Sequence, residues 1–83
     1  MMEMMKIAAP VFAKTLVRAR QVRSFEVARA EGKGWEVSRR ADETLVEQRH
    51  YADWHRVERA IGRFLREISD LRLQGWVEVQ ADS

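Results

Sequence analysis

The spacing of arginines is the feature of this sequence that most suggests chemistry. Four of them recur at intervals of three, four and three residues: Arg56, Arg59, Arg63 and Arg66. Three more stand near the N-terminus: Arg18, Arg20 and Arg23. A guanidinium presents a fork of donors that matches phosphate and carboxylate oxygens. These seven side chains are therefore candidate contacts to nucleic acid, whose phosphates attract arginine whatever the base sequence.

Acidic residues among the later arginines offer a second interpretation. Glu58, Glu67 and Asp70 lie in the same stretch, and Arg63 can pair with Glu67 at helical spacing. Such pairs contribute about 0.2–0.5 kcal/mol each. A mixed charged face opposite an apolar face is typical of any amphipathic helix. The sequence favours this solvated face and keeps nucleic-acid binding as the alternative.

Other groupings of reactive side chains are incomplete. His50, Asp53 and His55 are close in sequence, but a metal site needs three or four converging donors, and no further ligand accompanies them. The chain has no cysteine, and its serines and threonines lack a nucleophile signature. Residues 32–34 (GKG) are too short for a phosphate loop. We therefore expect no catalytic residues, no cofactor and no metal.

One long helix must position the four arginines. Its apolar residues recur on one side of a 3.6-residue period: Trp54, Val57, Ile61, Phe64, Ile68 and Leu71. Asp53 is suited to cap the first turn, and Gly75 is suited to follow the last one. The pattern predicts a helix over about residues 53–74. It also predicts that Trp76 folds back onto Leu71, as in a Schellman ending.

Alternating patterns before the helix predict strands at about 23–31, 35–40 and 44–51. The glycines at positions 32 and 34 favour a hairpin between the first two. One face of that hairpin carries Phe25, Val27, Trp35 and Val37. The third strand leaves two registers open, because each of its faces begins apolar and becomes polar. The fold class expected is α+β: a three-stranded antiparallel meander packed on one C-terminal helix, followed by a short strand-like tail at 76–79.

The N-terminal segment differs from the rest in charge. Residues 1–23 carry five basic side chains and one acidic one, whereas the remainder carries ten basic and twelve acidic. Pro10 could begin a helix, with Phe12, Leu16 and Ala19 on one face; β-compatible residues make an extended arm the alternative. We expect residues 1–22 to form a basic, partly flexible arm or short helix, and residues 23–83 to form a single domain.

Composition sets the limits of function. Hydrophobic residues make up 46% and charged residues 34% of the chain, which favours a folded domain with a polar surface. No apolar run reaches the roughly 18 residues of a membrane span, and residues 7–13 make a poor signal peptide. We expect a cytoplasmic protein without a membrane partner. The order of strands and helix resembles the layout of small bacterial antitoxin-type domains, a likeness without a shared motif.

The sequence therefore predicts a small, non-catalytic interaction module of bacterial type with an unknown protein partner. A three-stranded sheet leaves two edges and one face uncovered, so a homodimer is one expected assembly. The alternative is a nucleic-acid-binding accessory protein that uses the N-terminal arm and the helix arginines.

Overall fold

The computed structural model describes residues 10–79, which form one antiparallel sheet and one helix. The elements follow the chain in this order: β1 (Phe12–Arg18), β2 (Gln21–Arg29), β3 (Trp35–Ala41), β4 (Thr44–Tyr51), α1 (Trp54–Leu73) and β5 (Val77–Val79). This α+β architecture confirms the sheet packed on a C-terminal helix. The expected three-stranded meander was wrong in its strand count, because the sheet has five strands. The expectations for residues 1–9 and 80–83 lie outside the described residues.

The two added strands come from the segments at either end of the predicted meander. Where an arm or short helix was expected, β1 pairs antiparallel with β2 along its whole length. The helical interpretation failed because a spacing of four, as between Phe12 and Leu16, puts residues on one side of a strand as well as of a helix. The strand-like tail pairs with β1 as β5. The resulting order is β4-β3-β2-β1-β5, so β4 and β5 are the edges.

The helix begins and ends as the sequence predicts. The Asp53 carboxylate accepts a hydrogen bond from the His55 backbone N–H at 3.1 Å. At the other end Gly75 has φ +98°, and the Trp76 N–H donates to the Leu71 carbonyl at 3.0 Å. This is the Schellman pattern, and both Leu71 and Trp76 are buried in the core. The predicted C-terminal lock is therefore present.

The core lies between α1 and the sheet face that it covers. Its buried members are Leu16, Phe25, Val27, Val37, Val57, Ala60, Phe64, Ile68, Leu71 and Trp76. The Phe25 and Phe64 rings pack at 5.0 Å between centroids. The sequence left open which face of the strand at 44–51 is turned toward the helix. It is the face that carries Glu47, whose carboxylate accepts a hydrogen bond from Arg63 on α1. A bulge in the β3–β4 pairing leaves Leu45 and Val46 exposed.

Candidate interaction site beside strand β4

Four helix arginines and one tyrosine line an open groove of about 520 Å³ between α1 and β4. The lining residues are Tyr51, Arg56, Arg59, Ala60, Arg63 and Arg66, and this surface is called the arginine groove below. The sequence places the arginines there because three- and four-residue steps follow one flank of a helix. Tyr51 lines the groove from the end of β4, whose outer side is an edge of the sheet. All four helix arginines predicted as contacts are thus brought together.

One of these arginines is held in place by a carboxylate. Both guanidinium ends of Arg63 donate to the Glu47 carboxylate, at 3.2 and 3.0 Å. Arg39 and Arg49 approach the same carboxylate at 3.5 and 3.4 Å, and Arg39 also pairs with Glu67 at 2.8 Å. The Glu47 side chain is only 12% exposed. It therefore fastens α1 to β4 beneath the groove.

The ion pair shifts the pKa values of its two partners in opposite directions, and each shift favours the charged form. The hydrogen bond from Arg63 is the main cause that lowers the pKa of Glu47, and the nearby charges of Arg63, Arg39 and Arg49 lower it further, against the opposing effect of burial. The same hydrogen bond raises the pKa of Arg63. Both groups are therefore charged throughout the neutral range, and the base of the groove is an ionic cluster.

The remaining groove arginines have a different status. Within residues 10–79, no carboxylate oxygen lies within 4.0 Å, the limit for an ion pair, of a guanidinium nitrogen of Arg56, Arg59 or Arg66. All three are exposed. Their donors face water, so an incoming anion would gain hydrogen bonds without breaking an existing pair.

The N-terminal arginines lie elsewhere. Arg18 approaches the C-terminal end of α1, where a Cβ at position 75 would be 3.5 Å from its Nε atom. Arg23 stacks over the Trp76 ring at 4.9 Å. Arg20 is exposed in the turn between β1 and β2. The structure therefore does not join the two arginine sets into one basic strip, and it pairs one member of the helix set, Arg63, with an acid.

Sequence reasoning missed the residues that organise this arrangement. Glu47 was placed in an ambiguous strand, and Tyr51 was assigned no role. On the far side of the helix, Glu78 pairs with Lys14 at 3.0 Å and Arg72 at 3.3 Å, so the tail is tied to α1 as well as to β1. The sequence signal for Glu47 was an acidic residue that shares a strand face with an apolar residue. This pattern shows a role for Glu47 only when the side of the helix that faces the strand is known.

The three residues considered for a metal make local contacts instead. The His50 Nε2 atom lies 2.8 Å from the Lys33 carbonyl oxygen. Asp53 caps the helix, and His55 lies 3.9 Å from Glu58 one turn later. In the part of the chain that the structure describes, no three potential metal ligands of this kind converge.

Comparison with protein-family models, curated proteins and solved structures found no match for this chain. Over residues 10–79, no helix has both the length and the apolar character needed to cross a membrane. The arginine groove is therefore the feature of this chain that points to a function.

Proposed function

We propose that this protein is a small, non-catalytic interaction module of bacterial, cytoplasmic type whose ligand surface is the arginine groove. The observation that carries the proposal is a set of three exposed arginines, Arg56, Arg59 and Arg66, which have no carboxylate partner within residues 10–79 and lie near a strand that is an edge of the sheet in the same range. The Glu47–Arg63 pair joins α1, which carries these arginines, to β4. An ion pair that fastens α1 to β4 suits recognition, because the backbone that carries the exposed guanidiniums does not have to become ordered on binding.

The chemistry of the groove supports binding rather than turnover. A guanidinium stays protonated at physiological pH, so it recognises an anion but exchanges no proton with it. The carboxylate of Glu47, which bonds to the groove residue Arg63, is already engaged by arginines. The expected ligand is therefore an anionic group on a macromolecule, held by bidentate hydrogen bonds.

Nucleic acid is the second candidate, and the exposed donors of Arg56, Arg59 and Arg66 favour it too. Three neutralised phosphates would make log K fall with log salt by a slope of about −2 to −3. Participation of Arg18, Arg20 and Arg23 would steepen that slope. A protein partner is preferred because the two arginine sets are separated, and because Arg63 is already committed to a carboxylate.

Homodimerisation is a second component of the proposal. The sheet face opposite α1 carries a group of valines in neighbouring register positions: Val17, Val22, Val77 and Val79. Val77 is 62% exposed. Pairing this face with its copy would remove apolar surface from water, the usual driving force of association.

The test is affinity capture from a bacterial lysate with and without nuclease. Three baits are compared: the wild type, the groove variant Arg59→Glu/Arg66→Glu, and the control variant Arg29→Glu/Lys33→Glu. The control makes the same charge change at two exposed positions outside the groove. Proteins retained after nuclease by the wild type and control, and lost with the groove variant, would support the module. Capture that disappears with nuclease would favour the nucleic-acid alternative, and identical behaviour of the three baits would contradict the assignment of the groove.

A further inference from the structure

We infer that the arginine groove takes an extended acidic peptide segment, which pairs with β4 as a sixth strand of the sheet. This inference rests on the proposed function and specifies the chemistry of its partner. It combines two features that lie close together: a strand edge with no pairing partner in the part of the chain that the structure describes, and a row of cationic side chains. Each supplies what the other cannot, since backbone pairing gives affinity and the side chains give selection.

The backbone half of the site is β4. Among the described strands it is one of the two edges, and its eight residues (Thr44–Tyr51) compare with three in β5 at the other edge. An edge strand presents unpaired N–H and C=O groups that another strand can use. Proline, which commonly protects edges, is absent from β4. The bulge affects only its beginning, so the run from Glu47 to Tyr51 is regular; Tyr51 lines the groove, and Glu47 bonds to the groove residue Arg63.

The side-chain half of the site is the flank of α1. Side chains alternate across a strand, and Glu47 on β4 points toward the helix. A strand added about 4.8 Å outside β4 would direct every second side chain to the same side, beside the arginines. Arg56 and Arg66 are ten residues apart, or about 15 Å along the helix axis. Three alternate strand residues span about 13 Å, so three acidic side chains match the arginine row in length.

Charge identifies the occupant. Within residues 10–79 the guanidiniums of Arg56, Arg59 and Arg66 have no ion-pair partner, whereas Arg63 already has its carboxylate. The segment that satisfies them carries glutamate or aspartate at alternate positions. The Glu47–Arg63 pair is a version of this contact within the chain, because a carboxylate on a strand there meets a helix guanidinium bidentately.

The same features disfavour two other occupants. A second copy paired through its own β4 would bring two arginine grooves together, and like charges facing one another oppose association. A nucleic acid could use the guanidiniums, but it has no peptide groups to continue the hydrogen-bond ladder of β4. An acidic peptide uses both halves of the site.

The experiment is fluorescence anisotropy with the full chain and synthetic ten-residue peptides. The probe alternates glutamate and valine. A block peptide has the same composition with its glutamates contiguous, and a third peptide replaces glutamate by glutamine. We expect the block and glutamine peptides to bind at least about tenfold more weakly than the probe, since charge pairs at close contact are then lost. The groove variant Arg59→Glu/Arg66→Glu should lower the affinity for the probe by a similar factor. The control variant Arg29→Glu/Lys33→Glu should change that affinity less than about twofold.

Backbone pairing is tested without altering the protein. Two versions of the probe carry N-methyl groups on alternate amides, one on the odd and one on the even set. In an antiparallel ladder, successive residues point their N–H groups to opposite sides. One methylated version should therefore lose binding, and the other should keep it.

Each result bears on the inference. Equal affinity for the alternating and block peptides would overturn strand addition, and so would unchanged affinity for both methylated versions of the probe. The groove would then remain an anion-binding site if the groove variant still bound both peptides more weakly. If a ten-nucleotide single strand bound more tightly than the probe at equal salt, and the groove variant lost this binding, the acidic-peptide inference would be overturned in favour of nucleic acid. Failure of every acidic peptide at low salt overturns the inference alone, because the capture experiment tests the proposed function with native partners.

Discussion

Replacing Glu47 by glutamine should destabilise the protein and remove a pH dependence of its stability. The wild-type carboxylate accepts two hydrogen bonds from Arg63 and lies close to Arg39 and Arg49. Glutamine keeps the shape and one acceptor oxygen but carries no charge. One charge-assisted bond is then lost, and the desolvated guanidinium of Arg39 keeps only Glu67 as its partner.

The magnitude follows from burial. A hydrogen bond to a charged group contributes about 1.5–3 kcal/mol. Arg63 is 43% exposed, so water partly compensates its loss, and the more exposed Arg49 adds little. The expected loss is about 2 kcal/mol, out of the roughly 4–12 kcal/mol total for a domain of this size. The corresponding fall in Tm is about 8–16 °C.

The sign of the pH effect comes from the direction of the pKa shift. The folded-state pKa of Glu47 is lowered, so its stabilisation is complete above the unfolded-state value of about 4.3 and declines as the pH falls through the folded-state value. The difference between wild type and Glu47→Gln should therefore be largest at neutral pH and should shrink in acid.

Urea unfolding followed by circular dichroism at pH 7, 5 and 3.5 measures this difference. Glu26→Gln is the control, because it makes the same chemical change on an exposed strand position away from the helix. Its effect should stay within about 0.5 kcal/mol at each pH. An unchanged midpoint for Glu47→Gln at pH 7, or a difference that does not shrink on acidification, would refute the reasoning from the ion pair.

Three further predictions concern the lock, the hairpin and assembly. Trp76→Ala should lower the free energy of unfolding by about 3–5 kcal/mol, because it removes a core side chain that is only 5% exposed. Gly34→Ala should lower the free energy of unfolding more than Gly32→Ala: both residues have positive φ, but a Cβ at position 34 would lie 2.5 Å from the backbone oxygen of Tyr51 in β4, whereas position 32 is open. Light scattering at about tens of micromolar, where exposed edges already associate, should give a dimer mass that Val77→Asp reduces to the monomer.

Each of these predictions has an outcome that would contradict it. Leu73→Ala removes an apolar side chain that is 85% exposed, so a loss equal to that of Trp76→Ala would count against the lock. Equal denaturant midpoints for the two glycine variants would contradict the close approach at position 34. A monomer mass for the wild type would exclude dimerisation through the valine face at that concentration.

The helix was predictable because its signals are local. The apolar spacing, the cap at Asp53 and the glycine after the last turn all lie within one stretch, and they agree with one another. The hairpin between β2 and β3 was predictable for the same reason. The strand β1 was not, because Phe12 and Leu16 satisfy both helical and extended patterns, and only pairing with β2 distinguishes them.

Only part of the candidate site could be predicted from the sequence. The row of helix arginines is visible as spacing, but its separation from Arg18 and Arg23 depends on how the strands are ordered. The role of Glu47 depends on a contact between residues 16 positions apart. Such contacts are determined by packing rather than by local pattern, so the groove appears only once the helix is laid on the sheet.

The pairing of β1 with β5 also bears on the order in which the protein folds. The β2–β3 and β3–β4 pairs join neighbouring segments and need only short loops to close. Thr15 and Val79 are more than sixty residues apart, so their pairing requires the chain to close a much larger loop. Contacts of high sequence separation form late unless they belong to the folding nucleus. The tail should then act mainly on the lifetime of the folded state, because an interaction formed after the transition state slows unfolding without speeding folding.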